Sequence, residues 1–176
     1  GFTLGVRYSG IGGTRYSLMV NGNVNGDFVN SNDLAFVFDP NTQGLSETIG
    51  QAMQDVLANP DNLAKDYIQN SLGQVAARNG GENGYFGFWD VRLAKRLFFT
   101  KDKKSGLELG ADIFNLGNLL NKDWGNSKNL GNQNLLTIRN FDPVNKQYVY
   151  EVNPNVGVAN PGGTPFQIQI SGRVFF

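Results

Sequence analysis

One segment of eleven residues decides the fold prediction: Phe166-Gln167-Ile168-Gln169-Ile170-Ser171-Gly172-Arg173-Val174-Phe175-Phe176. Most of its apolar residues fall at every second position, and two amides, a hydroxyl and one arginine stand between them. Successive side chains of a β-strand point to opposite faces of the sheet. The spacing therefore predicts a strand that has one apolar face and one polar face.

Three more segments show the same alternation. Their apolar positions are Phe2, Leu4, Val6 and Tyr8 in the first, Trp89, Val91, Leu93 and Leu97 in the second, and Leu107, Leu109, Ala111 and Ile113 in the third. The second segment has one exception, Lys95, whose long aliphatic stem can carry its ammonium group towards an interface. We expect four antiparallel strands, at about residues 1–10, 84–99, 105–116 and 165–176.

The connections between these segments differ greatly in length. A short basic turn at about residues 100–104 follows the second segment, whereas two long connections cover about residues 11–83 and 117–164. Outer-membrane β-barrels have short periplasmic turns, longer extracellular loops and aromatic residues at both ends of each apolar stretch. The second segment is flanked in this way by Tyr85, Phe86, Trp89, Phe98 and Phe99. The pattern predicts an all-β membrane protein, and because four strands cannot close a barrel in lipid, a piece of a larger one.

Composition removes several classes of function. The 15 basic and 15 acidic residues give a net charge of zero, so the chain has no basic field for a nucleic-acid backbone. It contains no cysteine and no histidine, which excludes thiol and imidazole catalysis and the commonest zinc ligands. We therefore expect no enzymatic activity, no catalytic residue, no nucleic-acid partner and no cofactor other than the calcium ion considered below.

Both long connections carry patterns of their own. Apolar residues at helical spacing predict two short helices within residues 45–72. Ahead of them, residues 14–20 and 33–38 predict short strands that form a hairpin. A second hairpin is predicted from residues 135–141 and 147–152, because an Asp-Pro-Val-Asn turn sequence separates two strand-like segments.

Several segments resemble one family of proteins. They are Asp112-Ile113-Phe114-Asn115-Leu116-Gly117-Asn118-Leu119-Leu120-Asn121-Lys122, then residues 169–176, 13–17, 21–27 and 121–125. The first is similar to the penultimate-strand motif of TonB-dependent outer-membrane receptors, and the second is similar to their C-terminal strand. The others resemble the Oar-like group of these receptors, which is common in Bacteroidetes.

The resemblance implies a fold, a location and a function. The fold would be the last four antiparallel strands of a large outer-membrane β-barrel, with two long extracellular loops that contain short helices and hairpins. The location would be the outer membrane of a Gram-negative cell. The chain would supply barrel wall and ligand-facing loops to a TonB-dependent active transport protein.

The resemblance also implies partners. They are outer-membrane lipid, the remainder of the barrel and its plug, TonB through an N-terminal part outside this chain, and the barrel-assembly machinery, for which Phe176 would be the C-terminal assembly signal. Two alternatives stay open. One is an outer-membrane structural or adhesion barrel whose loops bind a partner without transport. The other is a soluble β-rich binding module, which would need its apolar faces covered.

Seven charged residues fall on the predicted polar faces and would face the lumen of such a barrel: Arg7, Asp90, Arg92, Arg96, Glu108, Asp112 and Arg173. One interpretation is that they line a path for a substrate. The other is that they pair with one another and hold the strands and plug in register, which the mixture of both signs favours.

A further candidate site is an Asn- and Asp-rich segment with oxygen side chains at alternate positions, as in acidic calcium loops. Its candidate ligands for calcium are Asn21, Asn23, Asn25, Asp27 and Asp33. Residues 10–84 contain eight acidic and three basic residues, which favours a divalent cation. The bidentate glutamate that usually ends such a loop is missing, so the second interpretation is a metal-free turn built by Asn, Asp and Gly.

Three aromatic residues of the second long connection are candidates for contact with a ligand. Trp124, Tyr148 and Tyr150 could stack on a sugar or clamp a peptide. Alternatively, they pack a small core within the connection itself.

Overall fold

The computed structural model describes residues 1–176, apart from the side chain of Pro161. The chain is mostly β-structure. Its strands are β1 Phe2–Ile11, β2 Arg15–Tyr16, β3 Met19–Asn21, β4 Phe36–Val37, β5 Gln74–Val75, β6 Gly81–Glu82, β7 Phe86–Phe98, β8 Gly106–Phe114, β9 Ser127–Leu130, β10 Asn134–Asp142, β11 Gln147–Val152, β12 Ala159–Gly162 and β13 Gln167–Phe175. Its helices are α1 Glu47–Ala58, α2 Lys65–Asn70 and α3 Leu116–Leu120. Within the described residues, none of these helices is long and apolar enough to cross a membrane.

The chain divides into two compact units. Unit 1 consists of Gly1–Gly12, Tyr85–Ser127 and Pro161–Phe176. Unit 2 consists of Gly13–Gly84 and Lys128–Asn160. Unit 1 thus contains the four segments that were chosen for their alternation, and unit 2 contains most of the two long connections.

Unit 1 is built on one antiparallel sheet with the strand order β1-β7-β8-β13. The pairing runs without interruption from Phe2 opposite Lys95 to Ile11 opposite Phe86. It is equally regular between β7 and β8 and between β8 and β13. The sheet is therefore a meander, in which the four strands lie side by side in the order in which they occur in the sequence.

A short turn joins β7 to β8 and fixes their register. The Phe99 N–H donates to the Ser105 carbonyl at 2.9 Å, and the Lys103 N–H donates to the Thr100 carbonyl at 3.2 Å. Lys103 adopts φ of 60°, a left-handed conformation that lets the chain reverse within a few residues.

Unit 2 is organised around its own apolar core. The largest fully buried side chains belong to Leu18, Val37, Met53, Val56, Ile68, Leu135, Leu136 and Val156. Helix α1 turns Gly50, Met53 and Val56 inward, at the three-residue spacing that places side chains on one helix face. The sheet β11-β10-β3 supplies the other side of the core.

The two predicted helices are confirmed as α1 and α2, and the later hairpin is confirmed as β10 and β11. The earlier hairpin prediction is confirmed only in part. Residues 14–20 and 33–38 meet antiparallel at a bridge between Met19 and Leu34, where the Val20 N–H donates to the Asp33 carbonyl and the Ala35 N–H donates to the Leu18 carbonyl, both at 2.9 Å. The regular pairing lies elsewhere, because β3 pairs in parallel with β10, and β4 pairs with β5. The core explains this, because burying Val20 and Leu136 requires a partner more than a hundred residues away in sequence.

We expect Leu18→Ala to lower the local free energy of opening of unit 2 by about 2–5 kcal/mol, because it leaves a cavity in a fully buried site. Native-state hydrogen exchange of the α1 amides measures this free energy. Val144→Ala is the control, since Val144 is highly exposed in the β10–β11 turn and should change it by less than about 0.5 kcal/mol. Equal effects of the two substitutions would contradict the assignment of the core.

Candidate functional site

One face of the unit 1 sheet is apolar and uncovered. Its residues form rows across all four strands, of which two are Leu4, Leu93, Ala111 and Ile170, and Val6, Val91, Ile113 and Ile168. Many of these side chains are exposed, among them Leu4 at 68% and Ile170 at 74%. Monomeric proteins in water rarely expose such a contiguous apolar surface, so this face is the most unusual feature of the molecule.

Aromatic residues stand at both ends of this face. Trp89 and Phe99 lie ten residues apart along β7 and its extension, and Phe166 and Phe176 lie ten residues apart along β13 and its extension. In each pair, both residues are an even number of positions away from the apolar residues of their strand, so they fall on the apolar side of the alternation. Tyr8 adds to the first end, with its ring 4.7 Å from that of Trp89. Phe176, the proposed assembly signal, is almost completely exposed.

The opposite face of the same sheet carries all seven charged residues that were predicted to share a face. Arg92 Nη1 lies 2.9 Å from Asp112 Oδ2, and Arg92 Nη2 lies 3.6 Å from Glu108 Oε1. Arg96 Nε lies 2.5 Å from Glu108 Oε2. Four of the seven are thereby joined in one network between β7 and β8, which is the arrangement expected of charges that hold strands in register.

The other three charges lie beside this network. Arg173 is directly opposite Glu108 in the pairing of β13 with β8, and Arg7 is directly opposite Asp90 in the pairing of β1 with β7. Asp90 Oδ1 accepts a hydrogen bond from the Asn115 N–H at 2.9 Å.

A cavity of about 410 Å³ opens on the polar face at the end of the sheet opposite the short turn. Its apolar lining includes Ile11, Phe86, Phe88 and Phe114, and its polar lining includes Asp90, Asn115, Thr164 and Gln167. The cavity lies within unit 1 and is wide enough for a small organic group.

Asn115 is a buried residue of this cavity that the sequence did not single out as a site. Its Nδ2 donates to the carbonyls of Gly125 and Thr164, at 3.2 and 2.9 Å. It adopts φ of 53°, a left-handed conformation that Asn tolerates better than most residues. Asn115 therefore ties the end of β8 to β7 and to the segment before β13. The sequence signal that could have identified this residue is an Asn directly after a strand of alternating apolar and polar residues.

The Asn- and Asp-rich segment of unit 2 is folded as a series of hydrogen-bonded turns. Asn23 Oδ1 accepts the Gly26 N–H, Asn25 Oδ1 accepts the Asp27 N–H, and Asp33 Oδ2 accepts the Val24 N–H. Gly22 and Gly26 have positive φ, as the metal-free turn interpretation requires. Among the described residues, no group of three or more acidic, histidine or cysteine side chains converges.

Asp27 is the centre of these turns. Its Oδ1 accepts the Val29 N–H, and its Oδ2 accepts hydrogen bonds from the side-chain amides of Asn32 and Asn25. The Asn32 amide, followed by the Val29 N–H, holds the pKa of the Asp27 carboxyl below its usual value. The carboxylate thus makes its hydrogen bonds with nearby residues of the same loop. Asn21, the remaining candidate ligand, is the last residue of β3.

The aromatic candidates fall in different units. Tyr148 and Tyr150 belong to unit 2, where ring contacts of 5–7 Å connect Phe36, Phe38, Tyr150, Tyr148 and Phe141 in series. A cleft of about 720 Å³ runs beside them, with Ser46, Thr48 and Gln147 in its lining. Partial burial raises the pKa of the Tyr150 hydroxyl. Trp124 belongs to unit 1, where it follows α3 and is exposed.

Comparisons with protein-family models, with curated proteins and with solved structures find no match. Function is therefore argued from the geometry of this chain. The feature that any function must accommodate is a sheet with an uncovered apolar face, a charged opposite face and two separate bands of aromatic residues.

The two interpretations of the Asp27 loop are separated by a calcium titration. If the hydrogen bonds described above, and not a metal ion, hold the loop in its conformation, millimolar Ca²⁺ should give no heat of binding and no thermal shift. Asp27→Ala should then only speed amide exchange in residues 22–33. Asp142→Ala is a matched control, because Asp142 accepts backbone N–H groups in the same way in the β10–β11 turn. A calcium heat that is lost in Asp27→Ala and kept in Asp142→Ala would establish the metal site instead.

Proposed function

We propose that this chain is the C-terminal part of the β-barrel of an outer-membrane receptor or transporter, with unit 1 as barrel wall and unit 2 as its extracellular, ligand-facing part. The observation that carries the proposal is the uncovered apolar face of unit 1, in register across four strands. Transferring such a face from water to hydrocarbon is favourable by about 25 cal/mol for each Å² removed from water.

The spacing of the aromatic residues agrees with the thickness of a bilayer. Ten residues of a β-strand extend over about 33 Å. A strand that tilts by about 40°, as barrel strands do, then spans about 25 Å along the membrane normal, which is the height of the apolar band in outer-membrane barrels. Both the pair Trp89 and Phe99 and the pair Phe166 and Phe176 have this spacing.

The polar face supports the same proposal. Ion pairs such as Arg92 with Asp112 are expected where a face is turned to a wet lumen or a plug, and would be costly in lipid. A soluble module would need a second layer over the apolar face. Within unit 1 the remaining helix, α3, has five residues and is too short to provide one.

A transport function is proposed from the resemblance to TonB-dependent receptors together with the folded character of unit 2. Long connections that carry their own core and an aromatic cleft beside Tyr148 and Tyr150 are suited to bind a ligand. A structural or adhesion barrel would share these features. The gene sequence that precedes Gly1 separates the two, since a transporter requires a plug domain and a TonB-binding segment there.

The depth of the apolar face can be tested with two neighbouring residues. Ile170 lies near the middle of the proposed span, so Ile170→Arg should destabilise the protein by about 2–4 kcal/mol in a folding titration with lipid vesicles. Gln169→Arg places the same group on the polar face and should be mild. If the apolar face were in water, Ile170→Arg would change stability by less than about 0.5 kcal/mol, because the side chain is already exposed.

The proposed orientation places residues 101–104 in the periplasm and residues 11–83 and 117–164 outside the cell. An epitope tag at Val144, which is highly exposed, should be stained by antibody on intact cells. A tag between Lys103 and Lys104 should be stained only after the outer membrane is permeabilised. The reverse pattern would overturn the orientation, and equal staining of both tags on intact cells would overturn the membrane span itself.

A further inference from the structure

The cavity at the end of unit 1 away from the short turn is an apolar region on the polar face of the sheet. Ile11, Phe86, Phe88 and Phe114 line it, and they occupy the alternate positions that carry charges such as Arg92 elsewhere on these strands. Ile11 and Phe86 are directly opposite each other in the pairing of β1 with β7. Side chains from three neighbouring strands therefore converge on one space of about 410 Å³.

Asp90 is the one charged residue among the described residues that line this cavity. Its Oδ1 accepts the Asn115 N–H at 2.9 Å. Within the described part of the chain, its Oδ2 accepts no hydrogen bond, and no lysine or arginine nitrogen lies within 4.0 Å of the carboxylate. Arg7 is directly opposite Asp90 in the strand pairing but does not line the cavity. One carboxylate oxygen is thus left for an external donor.

Asn115 fixes the position of this carboxylate in the cavity wall. Its backbone N–H binds Asp90, and its side-chain amide donates to the carbonyls of Gly125 and Thr164, at 3.2 and 2.9 Å. Asn115 is only 6% exposed, so these links are shielded from water. A binding group that is already held in place loses little conformational freedom when a ligand arrives.

We propose that this cavity binds a small organic cation, namely a protonated amine that carries an aromatic or aliphatic body. The ammonium group would donate to Asp90 Oδ2, and the body would lie among the side chains of Phe86, Phe88 and Phe114. A hydrogen bond between ionised groups is about twice as strong as one between neutral groups. The face of an aromatic ring also attracts a cation.

The charge of the lining selects a cation over other ligands of the same size. A neutral apolar ligand would take the Asp90 carboxylate out of water without giving it a counter-charge, which is unfavourable. An anion would be repelled by the same carboxylate. The inference concerns unit 1 alone and does not require its proposed position in the membrane.

The probes are phenethylammonium, 2-phenylethanol and phenylacetate, which share one ring and differ in charge. Each is titrated by isothermal calorimetry into the whole protein that contains this chain. We expect phenethylammonium to bind most tightly and phenylacetate least tightly. Asp90→Asn should lower the affinity for phenethylammonium by at least about tenfold and should not weaken 2-phenylethanol, because an amide oxygen can still accept the Asn115 N–H whereas the charge is gone.

Asp123→Asn is the matched control, because it removes the same charge from an exposed residue of unit 1 outside the cavity and should change neither affinity. Phe88→Ala should weaken both phenethylammonium and 2-phenylethanol, since it removes a wall that both ligands contact. Equal affinities of the unaltered protein for phenethylammonium and 2-phenylethanol, equal effects of Asp90→Asn and Asp123→Asn, or no binding of any probe would each overturn the inference.

Discussion

The register of the four-stranded sheet is the constraint on which the rest of unit 1 depends. A shift of one residue between any two strands would move a whole set of apolar side chains to the charged face. Two independent features oppose such a shift between β7 and β8. The tight turn at residues 99–105 fixes one end, and the network of Arg92, Arg96, Glu108 and Asp112 is satisfied in this register. These short-range interactions keep the apolar side chains of β7 and β8 on one face of the sheet and their charged side chains on the other.

In unit 2, the long connections between strands are held in one conformation. Ordering a chain costs conformational entropy at every residue, and buried apolar surface has to offset that cost. Residues from both connections contribute here, since Leu18, Met53 and Ile68 come from the first and Leu135 and Val152 from the second. Where no core is available, carboxylate and amide side chains such as Asp27 and Asp142 accept backbone N–H groups and keep the tips of the loops ordered.

The sequence predicted the features that depend on local periodicity. The alternation around Leu109 and Ile170 gave the strands, and the spacing of Met53 and Val56 gave α1. It failed where the partner is distant, as for β3, whose three residues carry little signal and whose pairing with β10 is set by the shared core. The placement of the seven polar-face charges on one face followed from strand parity, whereas their division into a paired network and three flanking charges depends on side-chain geometry that no spacing encodes. Asn115 escaped notice because its role lies in contacts with Gly125 and Thr164, which only the fold brings near.

Within the described residues, β1 and β13 each have one neighbouring strand, so each has an outer edge of unpaired backbone groups. In water such an edge is a template for pairing with any extended chain, and in hydrocarbon each unpaired group costs several kcal/mol. If unit 1 is barrel wall, the open edges of the isolated sheet are therefore unfavourable both in water and in the membrane. The order of the assembly steps then matters: both edges have to pair with their neighbouring strands before, or while, the apolar face enters the membrane. Until then, another protein has to shield the edges and the apolar face of the nascent chain.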